Sequence, residues 1–149
     1  LDLRPEIYWS DEEKKLGDSI IYEFTKGADF GTLLLSERFG TQCGKFDKKT
    51  FEFEHKTLTK LINENPLFYF YWSYKPLLDI PFKINGPVLD LRNVDLRIQL
   101  YIRSKGKICI GNQSGLLQSI SRYTNLHMTQ RQVPIKHNYI EGEQYYADA

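Results

Sequence analysis

Val94-Asp95-Leu96-Arg97-Ile98-Gln99-Leu100-Tyr101-Ile102-Arg103 places apolar and polar side chains in strict alternation from Leu96 onward. Period two is the pattern of a strand with one buried face and one wet face. Ser104-Lys105-Gly106-Lys107 then reads as a turn, and Ile108 and Ile110 resume the alternation. Two strands joined so tightly run antiparallel. This stretch therefore predicts a hairpin over 94–110, and the hairpin sets the expected sheet type.

Working outward, Ser10 followed by Glu13 forms a capping-box pattern, with Asp11, Glu12 and Glu13 at the positive end of the helix dipole. Leu16, Ile20 and Phe24 recur every four residues and Gly27 can stop the helix, which predicts a helix over 11–26. Gly17 inside it costs about 1 kcal/mol relative to Ala. Asp29 is placed to cap a short helix through Leu33, Leu34, Leu35 and Phe39. Phe46, Phe51 and Phe53 flank Asp47-Lys48-Lys49-Thr50, a hairpin pattern, and Thr57 to Asn63 reads as a helix ended by Pro66. The unbroken aromatic run Leu67 to Trp72 reads as a central strand covered on both sides. Residues 75–88, with Pro76, Pro81, Gly86 and Pro87, read as turns or edge segments. A helix capped by Asn112 or Ser114 is expected through Leu116, Leu117 and Ile120.

The sum is an α+β fold: a single domain with a mainly antiparallel sheet and three to four helices packed on one face. The globular domain is expected over 1–137, followed by a polar, Tyr-rich tail or arm over 138–149. Leu-Asp-Leu-Arg occurs at 1–4 and 89–92, but the flanks differ, so it is not a repeat.

Composition narrows the class. At 149 residues and 14% aromatic content with a net charge of +1, the chain is a folding domain rather than a disordered one. That length buries roughly two-thirds of the unfolded surface, so no disulfide or metal is required for folding. The longest apolar run is Leu67 to Trp72, far short of the roughly 20 residues that span a bilayer. No signal peptide pattern opens the sequence, and no Met begins it, which is expected of a chain trimmed or cut from a larger protein. Cys43 and Cys109 read as buried reduced thiols, which with the missing leader predicts an intracellular protein of cytoplasm or nucleus. The sequon Asn112-Gln113-Ser114 matters only in a secreted chain.

Charge is unevenly spread. Residues 92–137 carry eight cations against Asp95 alone, a net of +7, which leaves −6 for the rest. On the expected hairpin, Arg97, Tyr101 and Arg103 share the wet face, Lys105 and Lys107 extend it at the turn, and Arg122 follows near the end of the next helix. Cations interleaved with an aromatic hold phosphates while stacking a base. The competing explanation is an ordinary solvated sheet face.

Three other patterns carry chemistry. Glu52-Phe53-Glu54-His55-Lys56 resembles, over about ten residues, the metal core of the PD-(D/E)xK nucleases. That resemblance implies Asp47 and Glu54 on Mg²⁺ and Lys56 orienting the attacking water, although no Pro precedes Asp47. Cys43, Cys109, His55, His127 and His137 lack zinc-ligand spacing. No Gly-x-Gly-x-x-Gly or Gly-x-x-x-x-Gly-Lys-Ser/Thr occurs, whereas Gly111-Asn112-Gln113-Ser114-Gly115 opens an expected helix and is explained by capping. The surplus of Tyr and Trp, with Tyr139, Tyr145 and Tyr146 in the polar tail, suits a protein interface.

The leading expectation is a non-catalytic binding domain of a larger protein or assembly, with no cofactor, holding an anionic partner, foremost nucleic acid. The alternative is an assembly module that uses its aromatics and tail, by protein partnership or self-association. The Mg²⁺-dependent nuclease is the third reading.

Overall fold

The computed structural model describes residues 4–35, 41–42, 45–73, 86–112, 119–130 and 143–147. Helix α1, Asp11–Thr25, starts on the predicted capping box: Glu13 N donates to Ser10 Oγ at 3.1 Å and Ser10 N to Glu13 Oε1 at 2.9 Å. It ends on Lys26, which itself adopts the left-handed conformation before Gly27 does so too. Strand β1 is Phe30–Leu35, and a two-residue ribbon follows, β2 Thr41–Gln42 paired with β3 Lys45–Phe46. Next come α2 Lys48–Glu64, β4 Phe68–Ser73, β5 Val88–Asp90, α3 Leu96–Lys105, β6 Ile108–Asn112, β7 Asn125–Gln130 and β8 Glu143–Ala147.

The main sheet has six strands in the order β5-β4-β1-β6-β7-β8. All five pairings are parallel, with Thr32 of β1 facing both Phe70 of β4 and Cys109 of β6. The expected α+β fold with a mainly antiparallel sheet is therefore overturned: this is an α/β arrangement. Helices also lie on both faces rather than one. Leu58, Leu61 and Ile62 of α2 pack on Leu33, Leu35, Tyr69, Tyr71, Ile108 and Ile110. Ile98 and Ile102 of α3, with Ile20, Ile21 and Phe24 of α1, cover Phe30 and Phe70 on the other face. Leu100 continues that face over Leu34, Cys109 and Leu126. Each of these side chains, once fully buried, contributes about 2 kcal/mol. Sheets covered on both faces carry near-continuous apolar strands, as Phe30–Leu35 and Phe68–Trp72 do.

The error in sheet type traces to residues 94–110. The alternating stretch is helix α3, and it links the parallel strands β5 and β6 instead of forming half of a hairpin. All residues from Ile98 to Ser104 are buried, because the sheet lies on one side of α3 and α1 on the other. A helix enclosed in this way shows no clean period of 3.6, so period two arises by accident. Its start was marked by Asp95, whose Oδ1 accepts from Arg97 N at 2.9 Å, and its end by Gly106.

Other segments shift for related reasons. The hairpin expected around Asp47–Thr50 is the first turn of α2, with Asp47 as its N-cap, and the helix expected over 57–63 is its second half. Leu33–Leu35, expected in a helix, end the central strand β1, while Phe39 lies outside the described residues. The aromatic run is an internal strand, as its composition implied. Ile120 to Tyr123 form turns, and positions 113–118 of the expected helix lie outside the described residues, as do 74–85. Within the expected tail, Glu143–Ala147 add β8 to the edge of the sheet. Gly31 sits where only glycine fits: a Cβ there would lie 2.5 Å from Tyr69 Cε1 and 3.0 Å from Ile108 Cγ2. No helix among the described residues is long and apolar enough to cross a membrane.

Candidate functional site

The six residues expected on one basic face are distributed over two regions. Arg97, Tyr101, Arg103 and Lys105 all belong to α3; at 100° per residue Arg97, Tyr101 and Lys105, four residues apart, follow one side of the helix, and Arg103 points away from them. Arg97 leaves the first turn toward α1, where Nε and Nη2 meet the Glu13 carboxylate at 2.7 and 3.1 Å. The indole of Trp9 donates to Arg97 O at 2.9 Å, which pins the N-terminal segment to the same spot. Tyr101 is buried, edge-on to Trp9 at 5.5 Å, and donates its hydroxyl to Asp18 Oδ1 at 2.6 Å. Burial first, and the Asp18 hydrogen bond second, push its phenol up to about 12. Lys105 Nζ lies 5.5 Å over the Tyr101 ring.

Arg103 is 1% exposed, the largest fully buried side chain among the described residues. Its guanidinium lies 4.9 Å over the Trp72 ring and donates through Nη2 to Gln99 Oε1 at 3.2 Å. It belongs to the packing beneath the sheet and presents no charge to solvent.

The Arg97–Glu13 pair yields an immediate test. The Arg97 hydrogen bonds, helped by Ser10, hold the Glu13 carboxyl at about 2. A carboxyl depressed in the folded state stabilises above its unfolded value and loses that stabilisation as pH falls through the folded one. Carbon-detected titration of Glu13 should therefore show a midpoint near about 2, and Arg97→Gln should move it back toward the ordinary carboxylate range. An unmoved midpoint in the variant would mean that the pair is not formed.

Lys107 and Arg122 do converge, at the amino-terminal edge of the sheet, and Arg4 joins them. Together with Ser121, Thr124 and Asn125 they line an open groove of about 350 Å³. Arg4 was not singled out from the sequence, since 118 residues separate it from Arg122. A second groove of about 330 Å³ adjoins on the α2 side and shares Lys107 and Asn125, with Glu64, Leu67 and His127 along it. Burial lowers the His127 pKa, which keeps the imidazole neutral at physiological pH.

The opposite, carboxyl-terminal edge is organised by the strand order. From β1 the chain proceeds through α2 to β4 on one side, and later enters β6 on the other side. The ends of β1 and β6 are therefore neighbours, with Leu34 beside Gly111 in register. Gly111 and Asn112, which open the sequence run Gly111-Asn112-Gln113-Ser114-Gly115, end β6 at this point; 36–40 and 113–118 lie outside the described residues.

The remaining expected sites do not assemble. Asp47 caps α2, Glu54 is buried two turns later and Lys56 is exposed. Positions i and i+2 of a helix do not face each other, so the acid-x-Lys pattern has no shared face. No group of three or more metal-ligating side chains occurs among the described residues. Cys109 is a buried free cysteine whose thiol pKa is raised by burial, and His55 stacks on Phe51. Cys43, His137 and Tyr139 lie outside the described residues, while Tyr145 and Tyr146 fall on β8 opposite Met128 and Thr129. No protein-family model, curated protein or solved structure matches this chain.

Proposed function

We propose that this chain is a ligand-holding domain of a larger protein or assembly. It takes an anionic small molecule, a nucleotide or other phosphorylated compound, at the carboxyl edge between β1 and β6. The supporting observation is the strand order. Numbered along the chain, the six strands of the main sheet lie in the order 3-2-1-4-5-6. This is the order of Rossmann-type sheets, in which ligands occupy the crevice where the chain reverses direction across the sheet. The argument is one of fold-level analogy, since one fold hosts many chemistries.

The sequence refines the ligand class. The sequence after β1 holds no Gly-x-Gly-x-x-Gly run of the kind that cradles a dinucleotide; a glycine-bearing run instead begins at Gly111, within β6, the strand paired with β1. Glycines there permit close approach of backbone N–H groups to an anion. The buried free cysteine Cys109 fits a reducing, intracellular setting.

The test is a nitrogen–proton correlation spectrum of the 149-residue chain titrated with ADP and, separately, UDP to millimolar concentration. Shifts should concentrate at Leu34, Leu35, Gly111 and Asn112. Shifts confined to the amino edge, or none with either nucleotide, would reject the crevice.

A further inference from the structure

We propose that the groove between the end of α2 and the starts of β6 and β7 binds a free α-amino acid with an apolar side chain, which bridges Glu64 on one bank and Lys107 on the other. The groove lies at the edge of the sheet opposite the β1–β6 crevice, and its ligand does not depend on that reading.

The lining falls into two parts. Glu64 is the last residue of α2, and Asn65, Pro66 and Leu67 carry the chain from there into β4. Lys107 immediately precedes β6, Ile108 opens it, and Asn125 and His127 belong to the first turns of backbone in β7. Strand β1 runs between β4 and β6, so two strand spacings set the banks about 10 Å apart. That span suits one small molecule with a hydrogen bond at each end. Ile108 and Ile110 pack beneath α2. Their register partners Asn125 and His127 stand on the same face, while Leu126 between them is buried on the other.

The banks carry opposite charges that do not close on each other. Glu64 meets Lys60 at 3.9 Å, and Lys107 meets Asp29 at 3.9 Å, with all four side chains more than half exposed. Pairs of that length in water hold weakly and yield to a ligand that contacts both groups. Helix α2 has no basic residue in its last turn, so the negative end of its dipole adds to Glu64 and favours a cation there. An ammonium therefore belongs at Glu64. A carboxylate belongs at Lys107, where the side-chain amide of Asn125 supplies a further N–H donor. Between them Leu67 and Ile108, both part of the packing under α2, give an apolar floor. His127, half-buried and kept neutral by that burial, adds wall without charge. The volume of about 330 Å³ is at the small end for ligand sites. A simple anion would be repelled by Glu64 and a simple cation by Lys107, whereas a zwitterion satisfies both.

The intact chain is titrated with L-leucine and, separately, with its two singly charged analogues, following amide shifts. Isocaproate is leucine without the ammonium, and isoamylamine is leucine without the carboxylate. Leucine should move the amides of Asn65, Leu67, Lys107, Ile108 and Asn125, and each analogue should bind about fivefold more weakly.

Glu64→Gln should weaken leucine binding about fivefold and leave isocaproate bound no more weakly than before. Lys107→Gln should weaken leucine by about the same factor and leave isoamylamine bound no more weakly. Both positions are exposed, so the variants keep the parent fold, and unchanged amide shifts elsewhere verify it. If leucine moves none of these amides, if either analogue binds as tightly as leucine, or if both variants bind leucine as the parent does, the proposal is overturned.

Discussion

Arg103→Glu should leave the chain without a cooperative folded state. The side chain it replaces is 1% exposed, with the guanidinium 4.9 Å over Trp72 and hydrogen-bonded to Gln99 Oε1. Gln99 is itself committed, since Nε2 donates to Leu91 O and Val94 O at 2.8 and 2.6 Å. A carboxylate in this position faces the electron-rich ring of Trp72 and the amide oxygen of Gln99, both of which repel it. It is also too short to fill the space left. Breaking such a buried charged arrangement costs about 3–5 kcal/mol before the repulsion is counted. That is comparable with the whole stability of a domain, about 5–15 kcal/mol. By contrast, Lys105→Glu, two residues further on and exposed, should change stability by no more than about 0.5 kcal/mol. Urea titrations followed by circular dichroism separate the two. A folded Arg103→Glu with the parent midpoint would mean that residue 103 faces water, as a strand hairpin requires.

Gly17→Ala should destabilise by about 2 kcal/mol, although alanine is the better helix former by about 1 kcal/mol. The ring of Tyr101 lies directly on Gly17: an added Cβ would meet Cδ1 well inside contact distance and lie 2.8 Å from Cε1. The ring cannot swing aside cheaply, because its hydroxyl is held by Asp18 and its edge meets Trp9. The strain therefore pushes α1 away from α3. A double-mutant cycle isolates the cause. In a Tyr101→Ala background the clash is gone, and Gly17→Ala should become stabilising by up to about 1 kcal/mol. If Gly17→Ala is destabilising by the same amount in both backgrounds, the tyrosine is not the reason for the glycine.

Local signals were legible and long-range ones were not. Ser10 and Glu13 announced α1, and the aromatic run announced an internal strand, because capping and β-propensity act over a few residues. Asp95 and Gly106 mark the ends of α3 equally well, but the alternation between them is the pattern of a strand. Glutamine and arginine in a helix buried on two sides imitate the polar face of a strand. Once that segment became a strand, parallel pairing was no longer reachable, since a parallel sheet needs a crossover where a hairpin had been placed. The basic cluster was half legible. Lys107 and Arg122 were singled out by charge density, yet nothing in the chain joined them to Arg4, and Arg103 was counted with them although it is core. The proposed crevice is hidden for a simpler reason: in sequence Gly111 to Gly115 reads as a cap, and the place of Gly111 beside Leu34 of β1 exists only in the assembled sheet.

The N-terminal segment has a consequence for how the chain matures on the ribosome. Ile7 N donates to the Tyr123 hydroxyl at 2.8 Å, and Trp9 packs against the same ring. Ile7 and Trp9 thus find this partner more than a hundred residues later in the chain. Strand β1 waits as well, since its second neighbour, β6, begins at residue 108. No nascent fragment shorter than about Leu126 completes the layer beneath Leu34 and Cys109. Folding is accordingly late and collective, and until then the apolar strands Phe30–Leu35 and Phe68–Ser73 remain the surfaces most in need of a chaperone.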